Sequence, residues 1–214
     1  MTFWAESQHL RAEGQAGFRK DHRTVDNLFI INTLIELTKK KRGQKLYCCF
    51  VDFRKAFDSV PRERMWEVLE ERGLSGIVLA TLKSMYEKDK ACVLTQEGLT
   101  ELFRCTIGVK QGCPASPLLF GLYIDQLEQM LKDACAPPRH DGGAAGMTNT
   151  PIDAPDLMGI LIPLLLFADD LALFSLTHAG LQAQLDILQE FCKSRGLEVN
   201  VSKTKIMVFE HRHI

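Results

Sequence analysis

The spacing of apolar residues changes along the chain, from the period of a helix to the unbroken runs of buried strands. Over residues 24–42 apolar side chains recur three and four positions apart, which predicts an amphipathic helix. Residues 46–53 are apolar except for Asp52, and a continuous run of this length is typical of a strand buried on both faces. The one charge of this strand therefore lies near its C-terminal end.

A second pair of apolar runs surrounds two adjacent acidic residues. Runs over about 159–167 and 171–176 predict two strands, and Asp169 and Asp170 lie between them. Carboxylates between buried strands are costly unless hydrogen bonds or a cation compensate for their charge. The pattern alone also permits a simpler interpretation, in which Asp169 and Asp170 form a polar hairpin turn and Asp52 caps a loop.

The remaining elements complete the prediction of a mixed fold. They are helices at about 61–72, 75–86, 116–132 and 181–194, a hairpin of 91–95 with 99–106, an irregular loop at 135–156 and a last strand at 205–209. From residue 46 onward this order contains the β-α-β-β-α-β pattern of a ferredoxin-like sheet. The sequence thus predicts an α+β fold whose antiparallel sheet is covered by helices on one face.

Charge narrows the class of protein only slightly. The chain of 214 residues has 26 Lys and Arg against 27 Asp and Glu, a net charge of −1, which excludes a histone-like polybasic binder. The charges are unevenly placed, because residues 1–45 carry nine basic and five acidic side chains. A local basic surface is therefore expected in the N-terminal part.

Cysteine content and hydropathy bear on the cellular compartment. The seven cysteines are odd in number and contain no C-x-x-C pair, which indicates a reducing environment without a disulfide framework. The strongest apolar run, 158–168, is too short to cross a bilayer. We expect a soluble protein of the nucleus or cytoplasm that is neither secreted nor bound to a membrane.

The acidic residues also predict a metal. Asp52, Asp169 and Asp170 would form an all-oxygen site, which suits Mg²⁺, whereas the six histidines are scattered along the chain. Two such ions about 4 Å apart can hold the attacking and leaving oxygens of a phosphoryl displacement. The carboxylates therefore favour phosphoryl-transfer chemistry.

Five sequence blocks carry a resemblance to a known family. Residues 50–60 (FVDFRKAFDSV) resemble motif A of reverse transcriptases, 108–120 (GVKQGCPASPLLF) motif B, 167–170 (FADD) motif C and 196–204 (GLEVNVSKT) motif D. Residues 15–27 (QAGFRKDHRTVDN) are similar to the segment before motif A in non-LTR, LINE-type retrotransposon enzymes. The blocks occur in the family's order and cover nearly the whole chain.

The resemblance implies a role for each acidic residue and for one lysine. Asp52 and Asp169 would bind two Mg²⁺ ions, for which Mn²⁺ could substitute, with Asp170 and the backbone carbonyl of Phe53 in support. Lys203 of motif D would protonate the departing pyrophosphate. A solvated lysine before an edge strand is the alternative interpretation of Lys203.

Residues that would contact substrates follow from the same blocks. Phe57 occupies the steric-gate position that selects deoxynucleotides, and Gln111 and Gly112 would contact the nascent base pair and the template. The expected template or phosphate contacts in the basic N-terminal part are Arg19, Lys20 and Arg23. Ordinary core packing of Phe57 and a solvated basic face are the alternatives that the residues themselves leave open.

The resemblance also implies partners and a domain plan. The partners would be an RNA template, a DNA primer and dNTPs, with partial fingers and an N-terminal helix at 1–45, a palm at 46–209 and a tail at 210–214. The remaining fingers, the thumb and the endonuclease would belong to a longer parent protein.

Three interpretations are open at this point. The first is an RNA-directed DNA polymerase domain that acts in a longer protein. The second is a truncated, non-catalytic remnant or an adopted nucleic-acid-binding scaffold. The third is another palm enzyme, such as a group II intron-type reverse transcriptase or an RNA-dependent RNA polymerase; Phe57 argues against the RNA polymerase.

Overall fold

The computed structural model of the protein describes residues 1–135 and 152–211. The helices are α1 (Thr2–Ser7), α2 (Thr24–Lys40), α3 (Ala56–Ser59), α4 (Arg62–Glu71), α5 (Gly76–Glu87), α6 (Ser116–Ile124), α7 (Gln126–Cys135) and α8 (His178–Arg195). The strands are β1 (Lys45–Val51), β2 (Lys90–Ala91), β3 (Leu94–Thr95), β4 (Gly98–Leu99), β5 (Phe103–Arg104), β6 (Asp156–Leu157), β7 (Ile160–Leu161), β8 (Leu164–Phe167), β9 (Asp170–Ser175) and β10 (Lys205–Glu210). Within these ranges no helix combines the length and the hydropathy needed to cross a bilayer.

A four-stranded sheet is the centre of the fold. Its strand order is β10-β1-β9-β8, and every neighbouring pair is antiparallel. Side chains alternate between the two faces of a strand. In β1, Cys49 and Val51 therefore join the larger cluster of buried residues, whereas Leu46 and Cys48 join a smaller one. This strand is buried on both faces, as its unbroken apolar sequence predicts.

Helices α4, α6, α7 and α8 pack over the larger cluster. Helix α6 is buried almost all round, and Phe120 and Tyr123 are fully inaccessible to solvent. Burying a side chain of this size stabilises the fold by about 1.5–3 kcal/mol. This core holds the strands whose ends carry the acidic residues.

Helix α2 covers the opposite face, so the expectation of helices on one face only is wrong. It contacts β1, β8 and β10 and buries Leu34 beside Leu46 and Cys48. The physical reason lies in β1 itself, because a strand that is apolar on both faces exposes a second hydrophobic surface unless another element covers it.

The helix predicted over 116–132 is also different, because it consists of α6 and α7, separated at Asp125. The Asp125 carboxylate accepts hydrogen bonds from Arg11 Nε at 2.6 Å and from the Ala12 N–H at 3.2 Å. Both members of the Arg11–Asp125 ion pair are only 1% exposed at the side chain. The N-terminal segment is thus fastened to the junction between the two helices.

The predicted hairpin and loop are only partly comparable with the structure. The hairpin is present as two short ladders, β2 with β5 and β3 with β4. The predicted irregular loop of 135–156 lies largely outside the described residues, and so do residues 212–214 of the predicted tail. The last residue of that loop, Asp156, is not irregular but begins β6, which pairs with β7.

Candidate active site

Asp52 follows the last residue of β1, where the backbone leaves the sheet. Its carbonyl oxygen accepts a hydrogen bond from the Asn200 N–H at 2.7 Å, and its own N–H donates to Thr204 Oγ1 at 3.3 Å. The segment between Asn200 and Thr204 therefore fixes the backbone of Asp52 and leaves its carboxylate 40% exposed. The next residue, Phe53, is buried and bridges to Val199.

Asp169 and Asp170 lie at the tight turn that joins β8 to β9. Phe167 pairs with Asp170 across this turn. Ala168 has a φ of +60°, in the left-handed region that residues with a Cβ rarely adopt. Asp169 is half-buried and Asp170 is exposed.

The sheet register brings the two acidic segments together. Val51 is paired with Leu171 across β1 and β9, so the residue after Val51 lies beside the residue before Leu171. Burial raises the pKa of the Asp169 carboxyl, and the charges of Asp170 and Asp52 raise it further. Carboxylates from two distant parts of the sequence therefore share one electrostatic environment at the strand ends.

This donor set fits a divalent cation that is shared with a substrate. Among residues 1–135 and 152–211, no group of three or more His, Cys, Asp or Glu side chains could hold a metal ion by itself. Asp52 and Asp169 offer two carboxylates, and Mg²⁺ commonly takes one or two carboxylates together with water and substrate phosphates. The two negative charges repel each other, and a bound divalent cation would offset this repulsion.

Lys203 lies in the same turn that supports Asp52. Its Nζ is 3.9 Å from Asp52 Oδ2, and the side chain is 69% exposed. An exposed pair at this distance contributes little to stability. The ammonium group is therefore free to contact an anionic ligand that approaches Asp52.

Of the residues expected to contact the nucleotide, Phe57 lies in α3, and Gln111 and Gly112 lie in the loop before α6. The ring of Phe57 stacks on Phe120 with centroids 4.3 Å apart and planes at 21°, and it is only partly buried. Gln111 is exposed and donates from Nε2 to Asp58 Oδ1 at 2.9 Å. Gly112 has a φ of +77° and open space around the position of a Cβ.

The three basic residues expected to contact the template differ in their surroundings. Arg19 is engaged within the chain: its Nε and Nη2 donate to the Glu6 carboxylate, at 3.0 and 2.8 Å, and its Nη1 donates to the carbonyl of Ala12 at 2.6 Å. Lys20 and Arg23 are exposed. A template contact by Arg19 stays a prediction, and it requires this ion pair to open.

Gln15 contacts the turn between β8 and β9, a role that the sequence alone did not predict. Gln15 is fully buried, and its carboxamide forms two hydrogen bonds with the backbone of Ala168. Glutamine is usually exposed, so its residue type alone did not indicate this position. Its one signal in the sequence was its place at the start of the block before motif A.

Known sequences are similar to this chain over most of its length. A family model described as reverse transcriptase (RNA-dependent DNA polymerase) matches residues 6–213. The Pol polyprotein of the R2DM retrotransposable element of Drosophila melanogaster is 30% identical over 88% of this chain and 16% of its own length. The R2 Pol polyprotein of Nasonia vitripennis is 28% identical over 82% of this chain and 15% of its own length. The chain therefore spans about a sixth of these relatives, and the resemblance to non-LTR retrotransposon enzymes is confirmed.

Solved structures are similar in fold. Apo telomerase from Candida tropicalis, truncated from its C-terminal domain, superposes with a TM-score of 0.64 at 17% identity, over 100% of this chain and 39% of that one. Telomerase from Candida albicans in complex with a telomeric RNA fragment gives 0.60 at 15% identity, over 94% and 31%. These likenesses show the α+β fold of a polymerase palm. With the match over residues 6–213 as well, the chain belongs to the reverse transcriptase (RNA-dependent DNA polymerase) family.

Proposed function

We propose that this chain carries the polymerase site of an RNA-directed DNA polymerase of a non-LTR retroelement, which adds dNTPs to the 3′-hydroxyl of a DNA primer on an RNA template. The observation that carries the proposal is the meeting of Asp52, at the end of β1, with the turn of Asp169 and Asp170 before β9, where the charge of Asp52 raises the pKa of Asp169. Nucleotidyl transfer needs this arrangement, because it depends on positioning and charge rather than on a covalent intermediate.

The cofactor in this proposal is Mg²⁺, as two ions, with Mn²⁺ as a substitute. Asp52 and Asp169 would be the principal ligands, with Asp170 and the carbonyl oxygen of Phe53 in support. Bound there, the ions would lower the pKa of the primer hydroxyl and offset the charge of the triphosphate. The half-buried position of Asp169 supports this role, since carboxylates interact more strongly with cations where water is partly excluded.

Lys203 completes the chemistry of the proposal as the proton donor to the departing pyrophosphate. Its Nζ lies 3.9 Å from Asp52 Oδ2 and its side chain is mostly exposed, so a triphosphate approaching Asp52 would meet this ammonium group. An ammonium donor needs no conformational change beyond the rotation of its own flexible side chain. General acid catalysis of this kind contributes about 10²–10⁴-fold to a rate.

Nucleotide selection is assigned to Phe57, with Gln111 and Gly112 beside it. The stacking on Phe120 supports this assignment, because it fixes the orientation of the Phe57 ring while part of that ring stays accessible. A fixed ring under the sugar would exclude a ribose 2′-hydroxyl. The exposed amide of Gln111 and the open surroundings of Gly112 leave room for a base pair.

Contact with the RNA template is assigned to the N-terminal basic residues. Lys20 and Arg23 are exposed and suit contacts with phosphates. Arg19 is included in the proposal. In this structure it pairs with Glu6, and this ion pair holds the segment that carries Lys20 and Arg23.

The domain plan is part of the same proposal. The order β10-β1-β9-β8 supports a ferredoxin-like palm over 46–209, because the last strand lies beside the first, followed by the third and the second. Partial fingers at 1–45 and a tail at 210–214 complete it. The length of the R2 relatives supports action within a longer Pol protein. The seven unpaired cysteines, all within the described residues, support a nuclear or cytoplasmic location.

Primer extension on an RNA template with dNTPs and Mg²⁺ tests the proposal. We expect Asp169→Asn to lower the rate by about 10³-fold, because the metal-binding charge is lost while the size of the side chain is kept. The matched control is Asp186→Asn on the exposed surface of α8, which we expect to leave the rate unchanged. Extension by Asp169→Asn at the wild-type rate would refute the metal site, and absence of extension by the wild-type chain would count against the activity itself.

A further inference from the structure

The turn before Asp169 is held by a buried side chain from the far N-terminal part of the chain. Gln15 has no exposed surface, and its Nε2 donates to the Ala168 carbonyl oxygen at 3.1 Å. Its Oε1 accepts from the N–H groups of Ala168 at 2.9 Å and Gly17 at 2.8 Å. The carboxamide therefore satisfies both backbone polar groups of Ala168 with one side chain.

The backbone around Gln15 is itself fastened to the edge strand β8. The Leu166 N–H donates to the Gly14 carbonyl oxygen at 2.8 Å, and the Ala16 N–H donates to the Leu166 carbonyl oxygen at 2.9 Å. Gln15 lies between these two bonds and bridges to Leu166 in parallel orientation. The amide therefore has little freedom to move relative to the turn.

Close approach at Gly17 is a second sign that this contact is specific. A Cβ at position 17 would lie 2.2 Å from the backbone nitrogen of Ala168 and 2.8 Å from Gln15 Oε1. Atoms of this kind cannot come so near, so only glycine lets the segment pass. The backbone of Gly17 and the side chain of Gln15 thus both lie directly against Ala168.

Ala168 is the residue that needs such support. Its φ of +60° is unfavourable for a residue with a Cβ, by about 1–2 kcal/mol. A strained conformation persists only when the surrounding structure enforces it. Asp169 is the next residue. The Ala168 carbonyl group that Gln15 binds belongs to the peptide bond between Ala168 and Asp169, so this contact fixes the direction in which the backbone enters Asp169.

We propose that Gln15 is a positioning residue for the polymerase site: its buried carboxamide locks Ala168 in the left-handed conformation and so directs the Asp169 carboxylate toward Asp52. The inference rests on the proposed function for the role of Asp169. It gives the block before motif A a task in the chemistry, in addition to any contact that its basic residues make with a template.

Gln184 on α8 offers a matched control, because its amide hydrogen-bonds to the backbone of the same sheet. It is also fully buried, and its Nε2 donates to the carbonyl oxygens of Phe174 at 2.9 Å and Pro163 at 3.3 Å. These bonds lie at the end of β8 and β9 opposite to the acidic turn. Gln15→Met and Gln184→Met therefore each remove a fully buried amide that donates to backbone carbonyl oxygens at β8 and β9, and only the first removes it next to Asp169.

The first measurement is amide hydrogen exchange of the wild-type chain and both variants. We expect Gln15→Met to lower the protection of the Ala168 N–H about 100-fold, because two hydrogen bonds to this residue are lost. We expect Gln184→Met to leave the protection of Ala168 within about twofold, since its bonds are remote from the turn. If Gln15→Met does not fold, Gln15→Asn keeps the amide but withdraws it by one methylene, and it serves in the same comparison.

The second measurement separates positioning from a purely structural role. We expect Gln15→Met to weaken Mn²⁺ binding, followed by water-proton relaxation without nucleotide, by about 10–100-fold, as for other groups that orient metal ligands. In primer extension kcat should fall by a similar factor while KM for dNTPs changes less than about threefold. Gln184→Met should change none of these quantities more than about twofold.

Each outcome decides the inference. Equal Mn²⁺ affinity in the two variants would overturn it, whether or not the protection of Ala168 falls, and loss of both quantities in the Gln15 variant alone would support it. A wild-type chain that binds Mn²⁺ but extends no primer would count against the proposed function only, since the exchange and Mn²⁺ arms still decide the role of Gln15. A wild-type chain that binds no Mn²⁺ would count against the proposed metal site, and the exchange of the Ala168 N–H would then decide whether Gln15 holds the turn.

Discussion

The two halves of the carboxylate site are held in different ways. Asp169 follows a buried turn that a fully buried glutamine supports, whereas Asp52 is tied to a turn at the surface. In that surface turn Lys203 is 69% exposed at the side chain and Val201 is 78% exposed. The half of the site that carries Asp169 is therefore fixed by the core, while the half that carries Asp52 stays open to solvent.

The fixed half depends on anchors beyond Gln15. Arg11 pairs with Asp125, and the Gly14 N–H donates to Glu128 Oε1 at 3.1 Å, so the N-terminal segment is attached to the junction of α6 and α7 and to the first turn of α7. These contacts join residues about 114 positions apart in sequence. On the open half, by comparison, Asp52 contacts mainly backbone and one hydroxyl group.

The largest expected effect comes from breaking the buried anchor. Asp125→Ala leaves the Arg11 guanidinium buried without its partner, so we expect the free energy of unfolding to fall by about 3–5 kcal/mol in urea titration. Asp133→Ala on the exposed surface of α7 is the control, with an expected change of less than about 0.5 kcal/mol. A loss of under about 1 kcal/mol for Asp125→Ala would show that the fixed half does not depend on this pair.

An intermediate effect, on rate rather than stability, is expected on the open half. Lys203→Met should lower kcat of primer extension by about 10²-fold, equivalent to about 2.7 kcal/mol of barrier, because the proposed proton donor is lost. Its free energy of unfolding should stay within about 0.5 kcal/mol of the wild type, since the exposed pair with Asp52 adds little. Lys205→Met is the control, because the Lys205 ammonium donates to the Ser202 carbonyl oxygen instead. Equal rates in the two variants would remove Lys203 from the mechanism.

The smallest effect is expected from the hydroxyl group that supports Asp52. Thr204→Val removes the acceptor of the Asp52 N–H, whose bond is long at 3.3 Å, so we expect unfolding to change by about 0.5 kcal/mol. Ser202→Ala in the same turn should have no measurable effect. A loss above about 2 kcal/mol for Thr204→Val would mean that the two halves are fixed alike, and the comparison would fail.

Elements with one clear pattern were predicted well. The strand at 46–53, the helix ending at Gly196 and the last strand agree with β1, α8 and β10 within a few residues, because period, caps and glycine stops are local signals. The prediction of a single helix over 116–132 was wrong, because the helix is interrupted at Asp125, whose carboxylate binds Arg11. Local patterns do not contain a partner more than a hundred residues away.

The sequence by itself determined the family and predicted the candidate site: acidic residues lie at the ends of apolar strands, in motif blocks that resemble those of reverse transcriptases. Only the tertiary structure decided that α2 covers the second face of the sheet and that Gln15 holds the turn before Asp169. The physical reason is the range of the interactions. Strand burial and motif spacing depend on residues that are neighbours in the sequence. The contacts of a buried amide depend on backbone groups that only folding brings near it.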